Sequence, residues 1–295
     1  MYRWKIWVEA ARPKTLAAAF IPVLTGASIA WKEDLFSGMA TLAALFCALT
    51  IQIGTNFAND YFDFVKGADT RERIGFQRAT AAGLIPAKSM LNATILTFTI
   101  AFIAGLYLIW VGGWVVFWIG TSSILFGVLY TGGPWPLGYN GLGDLFVFLF
   151  FGIIAVAGTY YVNALEWSVE TIPASLAVGA LCVNILVVNN LRDIDQDCIA
   201  GKRTLGVLFG EQVLKSEYLL MNLLAYGILP WMIARHAYSG AILLPLLSLP
   251  FALQLTRQIW FHNDKRTLNL TLERTAQFMI LFGILLSIGI LLQNS

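Results

Sequence analysis

Charge is what this sequence has least of. Only 12% of its 295 residues are Asp, Glu, Lys or Arg, about half the share usual in a soluble domain. The shortage runs along the whole chain and the mean hydropathy is +0.72. Together these exclude a soluble domain on one anchor and leave a polytopic membrane protein. With two histidines, His236 and His262, a His-rich metal centre is excluded. Cys47, Cys182 and Cys198 stand alone, so neither a disulfide framework nor a cysteine metal spacing is present. The apolar runs do not alternate with polar residues, which argues against a β-barrel. No small-residue cleavage site follows the basic start, so no cleavable signal peptide is expected. The net charge of +2 gives no reason to expect a nucleic-acid partner.

What is present is a series of apolar segments long enough to cross about 30 Å of hydrocarbon. They fall at 15–31, 38–58, 90–111, 113–132, 145–165, 171–190, 216–234, 240–259 and 276–292. The expected fold is therefore all-α, one transmembrane domain over 1–295 with about nine helices. If the N-terminus is cytoplasmic and each segment crosses once, all of the 19 basic residues except Lys32 and Arg235 fall on the cytoplasmic side. Such an asymmetry is hard to obtain with a miscounted span. The C-terminus is then expected outside.

Two cytoplasmic loops carry the acids. Loop 59–89 opens NDYFDFVKGADTRER and loop 191–215 contains NNLRDIDQDCIAGKRTL. Each begins with Asn and Asp as a helix leaves the membrane, then turns basic, and the two lie four spans apart. This order reads as a parallel duplication whose acidic ends meet over one cavity. Continued helically, Asn59 and Asp63 are i,i+4 neighbours, Asp60 joins Asp63 at i,i+3, and Asp193 and Asp197 repeat the i,i+4 spacing. Two carboxylates about 4 Å apart repel by about 4 kcal/mol at an effective dielectric of about 20. A divalent cation converts that cost into binding, and an oxygen-only donor set favours Mg²⁺, which shares its coordination with phosphates. Lys66, Arg71, Arg73, Lys202 and Arg203 are placed to neutralise a diphosphate. Asp195 points off the Asp193–Asp197 face and is expected to be a solvated acid.

NDYFDFVKGAD and NNLRDIDQDCIAGKRTL resemble the two aspartate motifs of the UbiA superfamily of intramembrane prenyltransferases, most closely its 1,4-dihydroxy-2-naphthoate branch. ARPKTL before the first span, ERIG at 72–75, YTGGPWPLGYNGLGD at 130–144 and LERT at 272–275 extend the resemblance over nearly the whole chain. It implies that Asn59, Asp63 and Asp69, with Asp193 and Asp197, serve a Mg²⁺–diphosphate; Asp60 joins this set on its spacing. Other branches place Tyr and Lys where Val188 and Arg192 stand, which leaves Arg192, taken as a catalytic candidate, open between ion pair and phosphate ligand. The implied reaction transfers a polyprenyl group from its diphosphate to 1,4-dihydroxy-2-naphthoate, with loss of pyrophosphate and CO₂, in menaquinone synthesis. The implied setting is the inner membrane of a bacterium, with the site facing the cytoplasm. Phytyl transfer or prenylation of another aromatic acid keeps the same site. Transport is a reading of a different class, disfavoured because the acids lie at the membrane face and not at its midplane.

The polyprenyl tail is expected to run between helices while the diphosphate stays at the mouth. Tyr130 is the second catalytic candidate, facing an allylic cation with its ring; an interfacial belt position is the alternative. The glycines and prolines of 132–143 suggest a tight re-entrant turn. Asp144 reads as a helix cap, and Gln52, Thr55 and Asn184 as interhelical hydrogen-bonding residues.

Overall fold

The computed structural model describes residues 3–69, 74–236 and 238–293. Among these residues every regular element is helical. The chain enters on α1 (Arg3–Ala11), turns at Arg12, and continues as α2 (Ala17–Lys32). Trp4–Thr15 and Ala17–Lys32 are bent by 51° and are together long and apolar enough for one crossing. Seven further helical stretches are long and apolar enough to cross a bilayer, so the described chain is a multi-pass membrane protein.

The Ser37 hydroxyl accepts from the Ala40 N–H and starts α3 (Gly38–Val65), which carries the first acidic motif on its last turns. The chain then returns through 74–86 to α4 (Ala87–Leu129), 43 residues long. At 1.5 Å per residue that is about 64 Å, twice a hydrocarbon thickness. The backbone breaks midway, at Gly113, with φ 65° and ψ −151°, a conformation open to glycine and strained for any other residue. The division expected at Gly112–Gly113 is thus a break inside one continuous run.

The next crossing, Gly143–Ala164, combines α5 (Gly143–Val147), a π-helical stretch (Phe148–Ile154) and α6 (Ala155–Ala164). Its widened turn lies against α7 (Thr171–Ile199): a Cβ on Gly152 would stand 2.7 Å from the Gly179 Cα, so the two backbones meet where neither has a side chain. Short α8 (Leu205–Phe209) leads to α9 (Glu211–His236). The eighth expected span begins as a 3₁₀ helix, Gly240–Ser248, and continues as α10 (Leu249–Trp260). The last helix is α11 (Leu268–Leu291).

Helix α7 is the axis of the molecule. Leu181, Val187, Val188 and Leu191 on it are essentially inaccessible, packed among Ile21 of α2, Leu229 of α9 and Phe278 and Phe282 of α11. A smaller cluster of Ala10, Phe57, Ala79, Ile85 and Met90 binds the loop after α3 back onto that helix. Trp31, Trp110, Trp114 and Trp167 lie exposed near the connections at the end opposite the acidic motifs, the pattern of an interfacial aromatic belt.

Candidate active site

The ends of α3 and α7 that carry the two acidic motifs open into one cavity of about 300 Å³. Its mouth is polar, with Arg12, Asn59, Asp63, Arg78, Asp193, Asp197 and Lys202 among the lining residues. Deeper in, Phe126, Phe146, Phe150, Phe151 and Ile185 make it apolar. Among the described residues the two motifs meet at the Lys202 ammonium group. Lys202 Nζ lies 3.4 Å from an Asp63 oxygen and 3.5 Å from an Asp197 oxygen. Tyr139 donates its hydroxyl to the same Asp63 Oδ1 at 2.6 Å.

Around this centre the expected residues separate into distinct places. Asn59 lines the cavity and accepts from the Thr131 hydroxyl at 2.8 Å. Asp193 lines it too, but its carboxylate is gripped by Arg192, Nε to Oδ1 at 2.6 Å and Nη2 to Oδ2 at 2.7 Å. Arg192 is 2% exposed and also donates to Asn189 and Asn269. In this structure the Arg192 donors are turned to protein partners, and it is absent from the cavity wall. Tyr130 lines the cavity beside Gly138 and Gly143.

Asp60 requires a correction. It is buried, and its two oxygens accept from the Ala79 and Thr80 N–H groups, each at 3.0 Å. The i,i+3 spacing to Asp63 turns it toward the returning loop, away from the cavity, so it anchors backbone instead of facing a metal. Asp69 is likewise outside the cavity wall and pairs with Arg78, whose Nε lies 3.2 Å from Asp69 Oδ2. Lys66 sits at the rim, donating to the Thr131 and Gly133 carbonyls at 2.7 and 3.3 Å. Desolvation holds its pKa below the usual lysine range; Asp63 opposes the shift and Lys202 adds to it. The Arg203 side chain is exposed while its N–H bonds the Tyr139 carbonyl at 2.8 Å. Arg71 and Arg73 lie outside the described residues.

Asp195 is solvated and pairs with Lys265, as its position implied. Asn184 bonds Asn222 across α7 and α9 at 2.9 Å, an interhelical hydrogen bond. Asp144 is buried in the first turn of α5, where Leu142 holds the N-cap position. Sequence reasoning missed Tyr139, Arg12 and Arg78 as cavity residues. Tyr139 and Arg12 lay inside quoted motifs, LGY and ARPKTL, and Arg78 was visible only as one cytoplasmic charge among many.

The donors facing the cavity are all oxygen, from Asn59, Asp63, Asp193 and Asp197, which suits a hard divalent cation. Among the described residues no three acidic, His or Cys side chains draw together as a metal cage. Lys202 marks the point between the two helices where positive charge is held, and a cation with few protein ligands fits there if substrate oxygens complete its shell. Below lies a second cavity of about 150 Å³, sharing Ala48, Ile51, Ser123, Phe150 and Ala155 with the first and continuing among α3, α4 and α6 to Leu108, Val116 and Val162.

The pattern of the UbiA prenyltransferase family matches residues 19–291. The 1,4-dihydroxy-2-naphthoate octaprenyltransferase of Escherichia coli (strain K12) is 36% identical over 99% of this chain and 97% of its own. The enzyme of the same name from Haemophilus influenzae is 33% identical over 98% of this chain and 96% of its own. In fold, the structure of a UbiA homolog from Archaeoglobus fulgidus bound to GPP and Mg²⁺ matches with a TM-score of 0.66 at 14% identity, covering 96% of this chain and 99% of that one. A helical membrane bundle with two facing acidic motifs, similar along its full length to these enzymes, belongs to the UbiA prenyltransferase family.

Proposed function

We propose that the protein transfers a polyprenyl group from polyprenyl diphosphate to 1,4-dihydroxy-2-naphthoate, releasing pyrophosphate and CO₂ to give the demethylmenaquinone skeleton. The observation that carries this reading is the meeting of Asp63 and Asp197 through Lys202 at the polar mouth of an otherwise apolar cavity. It is supported by full-length similarity to two enzymes that bear that name. The proposed setting is the inner membrane of a bacterium, with the mouth facing the cytoplasm. With α4 counted as two crossings about Gly113, nine spans are proposed, and the placement of the basic residues supports a cytoplasmic N-terminus and an external C-terminus.

The diphosphate is assigned to the mouth, where Lys202, Arg12 and Arg78 neutralise its oxygens. Asn59, Asp63, Asp193 and Asp197 would hold Mg²⁺, which would supply further positive charge beside the leaving pyrophosphate. As the allylic C–O bond breaks, the electron pair leaves with the pyrophosphate. The ring of Tyr130 and the phenylalanines beneath it face the resulting cation. The naphthoate carbon bearing the carboxylate then donates its electrons to form the C–C bond. The adduct is a β-keto acid, and loss of CO₂ returns the electron pair to the ring without a redox partner. The tail lies in the apolar depth of the first cavity and continues into the second.

Purified protein given dihydroxynaphthoate, a polyprenyl diphosphate and Mg²⁺ should form the prenylated naphthoquinol, read by mass spectrometry, with pyrophosphate in equal amount. Prenylation of 4-hydroxybenzoate in place of the naphthoate would overturn the assignment of the acceptor.

A further inference from the structure

Tyr139 occupies a place that no part of the reaction above requires, yet four groups of the site converge on it. Its hydroxyl donates to Asp63 Oδ1 at 2.6 Å. The Lys66 and Lys202 ammonium groups stand over its ring, 4.9 and 4.8 Å from the centroid. Its carbonyl accepts from the Arg203 N–H at 2.8 Å, tying the 132–143 turn to the loop after the second motif.

The consequence lies at Asp63. Tyr139 donates to Oδ1, and the Lys202 ammonium lies 3.4 Å from the same oxygen. A carboxylate on a helix end is otherwise free to rotate about its terminal bond and offer either oxygen. With Oδ1 bonded to the phenol that rotation is restrained, which limits how the carboxylate can meet an incoming cation. The ring meanwhile gives two like charges a shared negative face, which offsets the repulsion between Lys66 and Lys202 and keeps both near the mouth. One side chain thus restrains a carboxylate at the mouth and stands beside two ammonium groups, of which Lys202 lines the cavity.

We infer that Tyr139 is a positioning residue of the prenyl-transfer site, acting through Asp63 by its hydroxyl and through Lys66 and Lys202 by its ring. The inference rests on the proposed reaction, but its two jobs are separable without turnover. Tyr139→Phe keeps the ring and removes the hydroxyl; Tyr139→Leu removes both. Binding of Mn²⁺ together with inorganic pyrophosphate, followed by electron paramagnetic resonance on the full-length protein in detergent, reports the metal site directly. The expected result is a loss of Mn²⁺ affinity of about tenfold in Tyr139→Phe, with pyrophosphate affinity at saturating Mn²⁺ close to that of the wild type. Tyr139→Leu should lose both. In an Asp63→Asn background, Tyr139→Phe should add little further loss of Mn²⁺ binding, because the two groups act as one unit. Wild-type Mn²⁺ affinity in Tyr139→Phe would overturn the inference, as would an equal loss in both variants explained by a lowered melting temperature alone. If wild-type protein failed to prenylate the naphthoate while these binding differences held, the reaction would be at fault and the positioning role would stand.

Discussion

Asp60 and Asp63 are the same residue type, three positions apart, in one motif, and the structure gives them opposite consequences when neutralised. Asp60 accepts two backbone N–H bonds at 3.0 Å from Ala79 and Thr80 and is 2% exposed. In Asp60→Asn one oxygen remains to accept; the other becomes an NH₂ facing a donor. The charge-assisted bond lost there is worth about 1.5–3 kcal/mol, and the stranded N–H adds about 1–3 kcal/mol. A total near 3 kcal/mol should lower the melting temperature in detergent on the order of 5–10 °C. Protein that remains folded should still bind Mn²⁺ with wild-type affinity, since Asp60 is absent from the cavity wall. Asp63→Asn should do the reverse, abolishing Mn²⁺ binding and turnover with a small change in melting temperature. Thermal unfolding by intrinsic fluorescence and Mn²⁺ titration of the same preparations separate the two. An Asp60→Asn protein that melts like the wild type but no longer binds Mn²⁺ would refute the anchoring role and restore Asp60 to the ligand set.

A Cβ on Gly120 meets nothing within 4 Å and points among the residues of the second cavity, so Gly120→Leu should fill it without straining the helix. Turnover with a long polyprenyl diphosphate should fall about tenfold or more while that with a short donor is kept; equal loss at every donor length would place the tail elsewhere. Arg192→Ala leaves Asp193 buried without its bidentate partner and should cost about 3–5 kcal/mol, seen as loss of folded protein, whereas Arg192→Lys should restore part of the stability but little of the activity. Lys202→Met removes an ammonium shared by Asp63 and Asp197, so added Mg²⁺ should raise its melting temperature more than that of the wild type. An equal rise in both proteins would mean that the two carboxylates do not need a shared cation.

The helices were legible because continuous apolar runs of this length have one outcome in a bilayer, and even the break in α4 was announced by paired glycines at 112 and 113. The facing of the two motifs followed from their matching charge order and even spacing. What local periodicity left unsettled was the partner of each acid. On a helix, positions 60 and 63 are neighbours, and only the path of 74–86, which brings Ala79 and Thr80 to Asp60, separates their roles. At Arg192 the departure from the Lys of other branches leaves the role open in sequence; its partners Asn189 and Asp193 are near it in the chain, and Asn269 comes from α11. Tyr139 was hidden in a turn read for its glycines and prolines, because contacts to Asp63, Lys66 and Lys202 come from segments far away in the chain.

The apolar depth of the main cavity lies within the spanning part of the bundle, while its charged mouth opens where α3 and α7 end. The two substrates therefore arrive from different phases. A polyprenyl chain already dissolved among acyl chains gains almost nothing by moving into a protein cavity that is equally apolar, since hydrocarbon is its reference solvent on both sides. Discrimination between donors must then come from the shape of the cavity and the grip on the diphosphate. The quantity that saturates the enzyme with donor is its mole fraction in the bilayer. Diluting the membrane with inert lipid, at fixed bulk concentrations of everything else, slows such a catalyst as effectively as withdrawing substrate, while the naphthoate continues to obey its concentration in water.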